Sequence, residues 1–170
     1  VGVFLENSPR NRIVQNRISR ASQNGALFQT TSHSNVLFEN VLFSNISAVR
    51  VNSGIEGLLI LRNRIGFNNQ RALRFDTTGA IQVFHNSIYS NTTTPGFDQV
   101  YMTGGGPIYF KNNIVVGGGK HGVSVQSGTL YASYNNVYSH KGLNYSNLSP
   151  GPGSIANSPR WQKEMTPLSS

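Results

Sequence analysis

The sequence has no cysteine, few acidic residues and no long apolar run, and each absence excludes a class of protein. Without cysteine there is no disulfide, no thiolate metal site and no thiol nucleophile. Only six of the 170 residues are Asp or Glu, and they are spread along the chain. No stretch of about 18 apolar residues occurs, so no membrane-spanning helix is predicted.

The scarcity of acids leaves a basic chain. Its 14 Lys and Arg residues give a formal net charge of +8 at pH 7. An excess of this size favours polyanionic partners, such as an acidic polysaccharide. Nucleic acid is disfavoured as a partner, because its binding grooves usually interleave basic residues with stacking aromatics. The simpler alternative is a generally basic surface with no specific partner.

What the sequence does contain is a repeat. Six times an Asn is followed two residues later by an aliphatic residue, and successive Asn residues lie 24, 23, 23, 26 and 23 residues apart. A fixed period of this length is typical of a solenoid, in which each repeat is one coil stacked on the next. Asn also tolerates a left-handed backbone at tight turns. We therefore expect a structural ladder of side-chain amides formed by Asn16, Asn40, Asn63, Asn86, Asn112 and Asn135.

Each repeat also contains strand-like triplets with mostly apolar outer positions and a mixed centre. Such alternation is typical of a strand with one buried face. Gly, Asn, Ser and Thr separate two to three short strands per repeat, and no stretch keeps a helical period. The triplets are Val3–Leu5, Leu27–Gln29, Val49–Val51, Leu73–Phe75, Val100–Met102 and Val123–Val125.

The outward positions of these triplets and of the residues after them predict a binding surface. Residues two apart on a strand share a face, so two columns should lie side by side on one flat sheet. The first column is Phe4, Phe28, Arg50, Arg74, Tyr101 and Ser124, and the second is Glu6, Thr30, Asn52, Asp76, Thr103 and Gln126.

Within these columns Arg50 and Arg74 would lie about 4.8 Å apart on adjacent coils. A carboxylate or sulfate that binds both guanidinium groups would relieve their repulsion. The opposing interpretation is that Arg74 pairs with Asp76 on the same face. Phe28 and Tyr101 would offer rings to sugar faces, and the insertion at residues 92–99 would wall one side. The candidate substrate-binding residues are Phe28, Arg50, Asn52, Arg74, Asp76 and Tyr101.

On these repeats the chain resembles right-handed parallel β-helix proteins of the pectin-lyase-like superfamily, over residues 1 to about 140. The resemblance implies an all-β, single-stranded right-handed parallel β-helix of about six coils, each of about 23 residues. We expect coils over residues 1–140 and a C-terminal capping segment and tail over residues 141–170. Residues 151–159 are similar to a segment that often follows the last coils in bacterial members, although Ser158 stands where Asp is common. The resemblance also favours a secreted or cell-surface location.

The resemblance leaves the reaction undefined. Uronate lyases of this fold need a base and a group that neutralises the charge of the substrate carboxylate. By this resemblance, Arg50 or Arg74 would take one of these two roles. The acidic cluster that holds Ca²⁺ in those lyases, the grouped Asp residues of β-helix glycosidases and the Asp-Pro-His-Asp motif of uronan epimerases are all missing from the sequence. Glycoside hydrolysis is therefore disfavoured, and neither a metal nor a cofactor is predicted.

Two functional hypotheses remain. In the first, a carbohydrate-binding or carbohydrate-active β-helix holds an acidic polysaccharide across Arg50, Arg74 and Tyr101, and any reaction would be lyase-like. In the second, the chain is a non-catalytic structural or assembly solenoid, or a fragment of a larger lyase-like protein. The sequence begins inside a coil at Val1, with no capping segment before it. We therefore expect a truncated or uncapped N-terminal coil, which another copy of the chain would cover in a homo-oligomer.

Overall fold

The computed structural model describes residues 1–92 and 94–158, and the fold in this part of the chain consists of stacked β-coils. Its 19 strands form three parallel sheets of seven, six and six strands. Neighbours in each sheet are three strands apart along the chain, so every coil contributes one strand to each sheet. The prediction of an all-β parallel solenoid of about six coils is confirmed. Among the described residues no helix is long and apolar enough to cross a membrane.

The strands are short and are divided regularly among the three sheets. Sheet A contains β1 (Val3–Glu6), β4 (Asn24–Gln29), β7 (Ser47–Val51), β10 (Leu73–Phe75), β13 (Val100–Met102), β16 (Val123–Val125) and β19 (Tyr145–Ser146). Sheet B contains β2 (Arg12–Val14), β5 (Val36–Phe38), β8 (Leu58–Leu61), β11 (Ile81–Phe84), β14 (Pro107–Lys111) and β17 (Thr129–Ser133). Sheet C contains β3 (Arg17–Ser19), β6 (Val41–Phe43), β9 (Arg64–Gly66), β12 (Ser87–Asn91), β15 (Ile114–Gly118) and β18 (Asn136–Tyr138).

Strand pairing continues into the predicted capping segment and tail at residues 141–170. There β19 pairs with β16, and Ile155 forms a bridge with Asn136. The end of that segment, residues 159–170, lies outside the described residues.

The core consists of aliphatic columns that run along the solenoid axis. One column from sheet C contains Ile18, Leu42, Ile65, Ile88, Val115 and Val137, and one from sheet B contains Ile13, Leu37, Ile60, Val83 and Phe110. All of these side chains are buried. Burial of each one contributes on the order of 1.5–3 kcal/mol, so the repeated column is the main apolar support of each coil.

The turn between sheets B and C contains a ladder of asparagine amides. Asn40 donates from its backbone N–H and its Nδ2 to Oδ1 of Asn63, at 2.9 and 3.1 Å. Asn63 bonds to Asn86 in the same way, and its Nδ2 also donates to the carbonyl of Leu37 in the previous coil, at 2.8 Å. Each amide thus connects three coils. The members of this ladder are Asn16, Asn40, Asn63, Asn86, Asn113 and Asn135.

Asn113 occupies the ladder position that the sequence pattern predicted for Asn112, so that prediction was wrong by one residue. In this coil the buried aliphatic residue is Val115, two positions after Asn113, whereas Ile114 is only half-buried. Asn112 has a φ of 55° and corresponds to Arg62, two coils earlier, which has a φ of 54°. The left-handed turn residue is therefore the one before the ladder Asn, and not the ladder Asn itself.

A second ladder lies at the turn between sheets C and A. It contains Asn45, Asn68 and Asn91, with Oδ1 of Asn68 accepting from the backbone N–H and Nδ2 of Asn45, both at 3.0 Å. Gly118 stands opposite Asn91 in the next coil and has no side chain to continue the ladder. The amide of Gln99 replaces it, since its Oε1 accepts from Nδ2 of Asn91 at 3.0 Å.

The register of sheet A also corrects one candidate residue. Leu27 pairs with Arg50, and Phe28 pairs with Val51 and is fully buried. Phe28 therefore belongs to the core and not to the outward column. The prediction was wrong because Ala26, the inward residue two positions before Phe28, is small. The bulkier triplet Leu27–Gln29, which lies one position later, was therefore predicted as the strand. A shift of one residue exchanges the two faces of a strand.

The ladder predicts an asymmetric response to two asparagine substitutions. We expect Asn63→Ala to lower the free energy of unfolding by about 2–4 kcal/mol, because it leaves the Asn40 N–H and the Leu37 carbonyl buried without partners. Asn112→Gly should cost less than about 1 kcal/mol, since glycine accepts the positive φ of that position. Urea denaturation followed by circular dichroism measures both. Equal losses for the two variants would contradict the assignment of the ladder to Asn63.

Candidate functional site

The outward face of sheet A carries two columns of side chains, a mixed one and a polar one. Strand pairing places Phe4, Leu27, Arg50, Arg74, Tyr101 and Ser124 in the first. The second contains Glu6, Gln29, Asn52, Asp76, Thr103 and Gln126, joined in part by side-chain hydrogen bonds. Gln29 takes the position predicted for Thr30, as the corrected register requires. Of the predicted candidate residues, Arg50, Asn52, Arg74, Asp76 and Tyr101 share this face and Phe28 does not.

Asp76 lies at the centre of this face and connects three coils. Arg74 donates from Nε to both carboxylate oxygens, at 3.0 and 2.9 Å. A terminal nitrogen of Arg50 lies 3.2 Å from Oδ2, and the Thr103 hydroxyl donates to Oδ1 at 2.9 Å. The ion pair between Arg74 and Asp76 is therefore present, and the same carboxylate also reduces the repulsion between Arg74 and Arg50.

The pKa of Asp76 shows which of its contacts dominate. Partial burial raises this pKa, but the hydrogen bonds from Arg74 and Thr103 and the charges of Arg74 and Arg50 outweigh burial. The net result is a pKa below the usual aspartate value, so the carboxylate is ionised at neutral pH. A carboxylate of lowered pKa is a weak base, which makes Asp76 a poor candidate for proton abstraction.

Arg71 is a third cation at the same place. Its guanidinium carbon lies 4.6 Å from the ring centroid of Phe97 and 4.4 Å from that of Tyr101, so two aromatic rings hold it. Phe97 belongs to the insertion at residues 92–99, which therefore borders the cluster. Burial lowers the pKa of Arg71 and the nearby charge of Arg74 lowers it further, but a guanidinium stays protonated at neutral pH.

We call Arg50, Arg71 and Arg74 around Asp76 the arginine cluster. Its three guanidinium groups outnumber the two carboxylates that act on them, Asp76 and the buried Asp98, so the cluster is net positive. The Nε atoms of Arg50 and Arg71 are buried and have no hydrogen-bond partner. A buried donor without a partner is costly, so these two groups reduce the stability that the cluster contributes.

Sequence reasoning missed Arg71 because the alternation breaks just after it. Ala72 and Leu73 are consecutive and both fully buried, so the inside–outside pattern restarts between them. Counting back from Leu73 by twos places Arg71 inside the coil, whereas it is half-buried beside Arg74. The sequence signal is a repeated pair of consecutive apolar residues. Ala48 and Val49 precede Arg50 in the previous coil just as Ala72 and Leu73 precede Arg74, and all four are buried.

A pocket adjoins the arginine cluster on the same face. It has a volume of about 460 Å³ and is lined by Gln29, Thr30, Thr31, Asn52, Ser53 and Gly54. Asn52 follows Arg50 by two residues on the outward side, so the pocket lies beside the cluster. Oδ1 of Asn52 is buried without a partner, and its Nδ2 makes only a long bond of 3.4 Å to Gln29. The pocket therefore offers neutral donors and acceptors beside a positive centre.

The aromatic part of the predicted site is smaller than the sequence indicated. Phe28 is buried, and one ring face of Tyr101 is covered by Arg71. The described part of the chain contains no group of three or more His, Cys, Asp or Glu residues that could hold a metal ion. This face thus offers charge and hydrogen-bonding groups more than exposed ring faces.

Comparisons with known proteins agree with this architecture. The family model "Right handed beta helix region" matches residues 1–157. No curated protein matches the sequence significantly. Among solved structures, the A-module of mannuronan C-5 epimerase AlgE6 from Azotobacter vinelandii is similar, with a TM-score of 0.54 and 16% sequence identity. The match covers 88% of this chain and 52% of that one, so the chain spans about half the length of its structural neighbour. At this identity the likeness concerns the fold.

The depressed pKa of Asp76 predicts an acid-sensitive contribution to stability. A carboxyl group whose pKa is lower in the folded chain stabilises that chain above its unfolded pKa of about 3.9, and this contribution is lost as the pH falls through the folded value. We expect Asp76→Asn to lower the free energy of unfolding by about 1 kcal/mol at pH 7. Its difference from the unsubstituted protein should shrink as the pH falls from about 5 to below 3, as measured by urea denaturation at each pH. A difference that stays constant over this range would contradict the assignment.

Proposed function

The chain belongs to the right-handed β-helix family, and from that premise we propose that the outward face of its sheet A binds an acidic polysaccharide. The observation that carries the proposal is the arginine cluster, in which Arg50, Arg71 and Arg74 are held on a flat face with an excess of positive charge. Guanidinium groups bind carboxylates and sulfates through paired hydrogen bonds. The anionic group of a sugar is the ligand that this cluster fits.

The exposed parts of the cluster support an external anion. The side chains of Arg50 and Arg74 are 37% and 34% exposed, although both contact Asp76. An incoming carboxylate supplies two acceptor oxygens to their accessible donors. Because Phe97 and Tyr101 already hold Arg71 in place, little side-chain entropy is lost when it binds.

The adjoining pocket supports a carbohydrate rather than a simple anion. The pocket lined by Thr30, Thr31, Asn52 and Ser53 presents hydroxyl and amide groups, which pair with sugar hydroxyls. A uronate residue combines both chemistries, since it carries one carboxylate and several hydroxyl groups. The epimerase neighbour is named for its action on mannuronan, a polyuronate, so this class of polymer is the first to test.

Binding should depend on two arginines of the cluster. We expect Arg50→Ala with Arg74→Ala to weaken the binding of a uronan by about 100-fold or more, because it removes two charged donor groups and leaves Asp76 with fewer cationic partners. Isothermal titration calorimetry with mannuronan, polygalacturonate and a sulfated glycan measures the loss. Circular dichroism and the melting temperature report whether the fold is kept.

Two further variants make this test specific. Arg12→Ala with Arg64→Ala removes the same charge from exposed positions on sheets B and C, and should change binding by less than about threefold at 0.15 M salt. Asp76→Asn removes the competing carboxylate and should tighten binding. If the Arg50 and Arg74 variant binds like the unsubstituted protein, the cluster is a structural ion-pair network, and the alternative function of a structural or assembly solenoid is favoured.

The scarcity of acidic residues also favours binding without cleavage. The acidic cluster that holds Ca²⁺ in uronate lyases of this fold is missing from the sequence, and the described residues contain no group of three or more His, Cys, Asp or Glu that could hold a metal ion. We therefore expect no rise in ultraviolet absorbance from unsaturated uronate when the protein is incubated with the polymers that it binds. A steady rise that Arg74→Ala abolishes would instead make the chain a lyase that uses arginine.

A further inference from the structure

A second concave site lies at the corner between sheets C and A, in the last coils. This pocket has a volume of about 250 Å³, and its lining includes Thr92, Gly119, Lys120, His121, Lys141 and Gly142. The lining residues include two lysines and a histidine but no acidic residue. We call it the corner pocket. Neither the family nor the proposed site on sheet A accounts for it.

Stacking of the coils brings its cations together. The backbone N–H of Lys141 donates to the carbonyl of Gly119 at 3.4 Å, and that of Gly142 donates to Lys120 at 2.6 Å. Lys120 and Lys141 therefore lie on neighbouring coils at the same corner, about 4.8 Å apart along the axis. Gly119 keeps the wall at backbone level, because a Cβ there would come within 2.7 Å of the Thr92 hydroxyl.

His121 is held in one orientation at this pocket. Its Nδ1 accepts a hydrogen bond from the backbone N–H of Leu143 at 2.9 Å, so Nε2 carries the proton of the neutral ring. Its backbone N–H donates to Oδ1 of Asp98 at 3.2 Å. The pocket thus combines two ammonium groups with one oriented ring donor, a set that suits a carboxylate or sulfate.

The corner pocket is connected to the arginine cluster through Phe97. The ring of Phe97 packs against Arg71, and its carbonyl accepts from the backbone N–H of Lys120 at 2.7 Å. The coil of Phe97 thus lies between the coil of Arg71 and that of Lys120. Two coil spacings separate the cationic positions by roughly 10 Å along the axis.

We propose that the corner pocket binds a second anionic group, a carboxylate or sulfate, on the same polysaccharide chain that the arginine cluster holds. This inference rests on the proposed function, since it extends the same ligand along the solenoid axis. It makes binding depend on ligand length. An oligomer too short to span the roughly 10 Å between the sites reaches only one of them, and a longer oligomer reaches both.

The test compares two lengths of the uronan that the unsubstituted protein binds best. We expect Lys120→Ala with Lys141→Ala to weaken the binding of an octamer by about tenfold, through loss of charged hydrogen bonds, and to leave a dimer unchanged. Calorimetry measures both. Both lysines are exposed, so the fold should persist, and the melting temperature checks this. Lys111→Ala with Arg64→Ala removes the same charge elsewhere and should leave the length dependence intact.

The possible outcomes separate this inference from the function on which it rests. An octamer that binds the Lys120 and Lys141 variant as tightly as it binds the control variant would overturn the inference while leaving the arginine cluster intact. If the unsubstituted protein binds no polymer, the proposed function and this extension both fail. Titration with sodium sulfate against sodium chloride at equal ionic strength, followed through the amide resonances of Gly119 and Gly142, then shows whether the pocket binds free anions. A sulfate response in a protein that binds no polymer would assign the pocket to free anions instead of a polysaccharide.

Discussion

The satisfaction of backbone N–H groups at the turns is the constraint on which this molecule depends. At the turn after each sheet B strand, the chain changes direction and the N–H of the turn Asn has no strand partner. The Asn of the next coil accepts it, as Asn63 does for Asn40 at 2.9 Å. A buried N–H without a partner costs about 1–3 kcal/mol, so every coil requires its successor. The ladder thereby fixes both the spacing and the register of the stack.

This constraint also explains which positions tolerate variation. The residue before each ladder Asn has a positive φ in every coil, yet its identity differs. The series is Gln15, Glu39, Arg62, His85, Asn112 and Tyr134, with φ between 54° and 56°. Such a backbone normally favours glycine or asparagine and costs about 1–2 kcal/mol for other residues. The hydrogen bonds of the ladder Asn that follows hold the positive φ whatever the side chain. The ladder Asn, one residue after the residue of positive φ, therefore encodes the turn.

A fixed register brings like residues close together on the surface, and sheet A shows the consequence. Arg50 and Arg74 are forced onto adjacent strands, where two unit charges repel by roughly 1 kcal/mol in water. Asp76 offsets this repulsion by contacting both guanidinium groups. One carboxylate cannot neutralise two arginines, and Arg71 adds a third. Ion pairs and ring contacts thus hold the guanidinium groups of a face that is still positive, a combination that would lower the entropic cost of binding an anion.

Residue periodicity made the fold predictable, whereas the site required the register. The 23-residue step and the aliphatic columns follow from the sequence because one pattern repeats in every coil. Phe28 and Asn112 were each misplaced by one position, where small Ala26 or the adjacent pair Asn112 and Asn113 allowed two registers. Arg71 was missed because alternation gives the side of a residue within a strand but not where the pattern restarts. Local periodicity cannot determine such single-residue shifts, and pairing with neighbouring coils does.

The shape of sheet A bears on how an elongated ligand would lie. Across the strands the sheet is narrow, since β10 has three residues and spans roughly 10 Å. Along the axis its seven strands extend over roughly 30 Å. The arginine cluster and the corner pocket are separated along the axis and border the same sheet. In the proposed binding mode a polymer laid along the axis would pass both sites, whereas one laid across the coils would leave the face after a single strand.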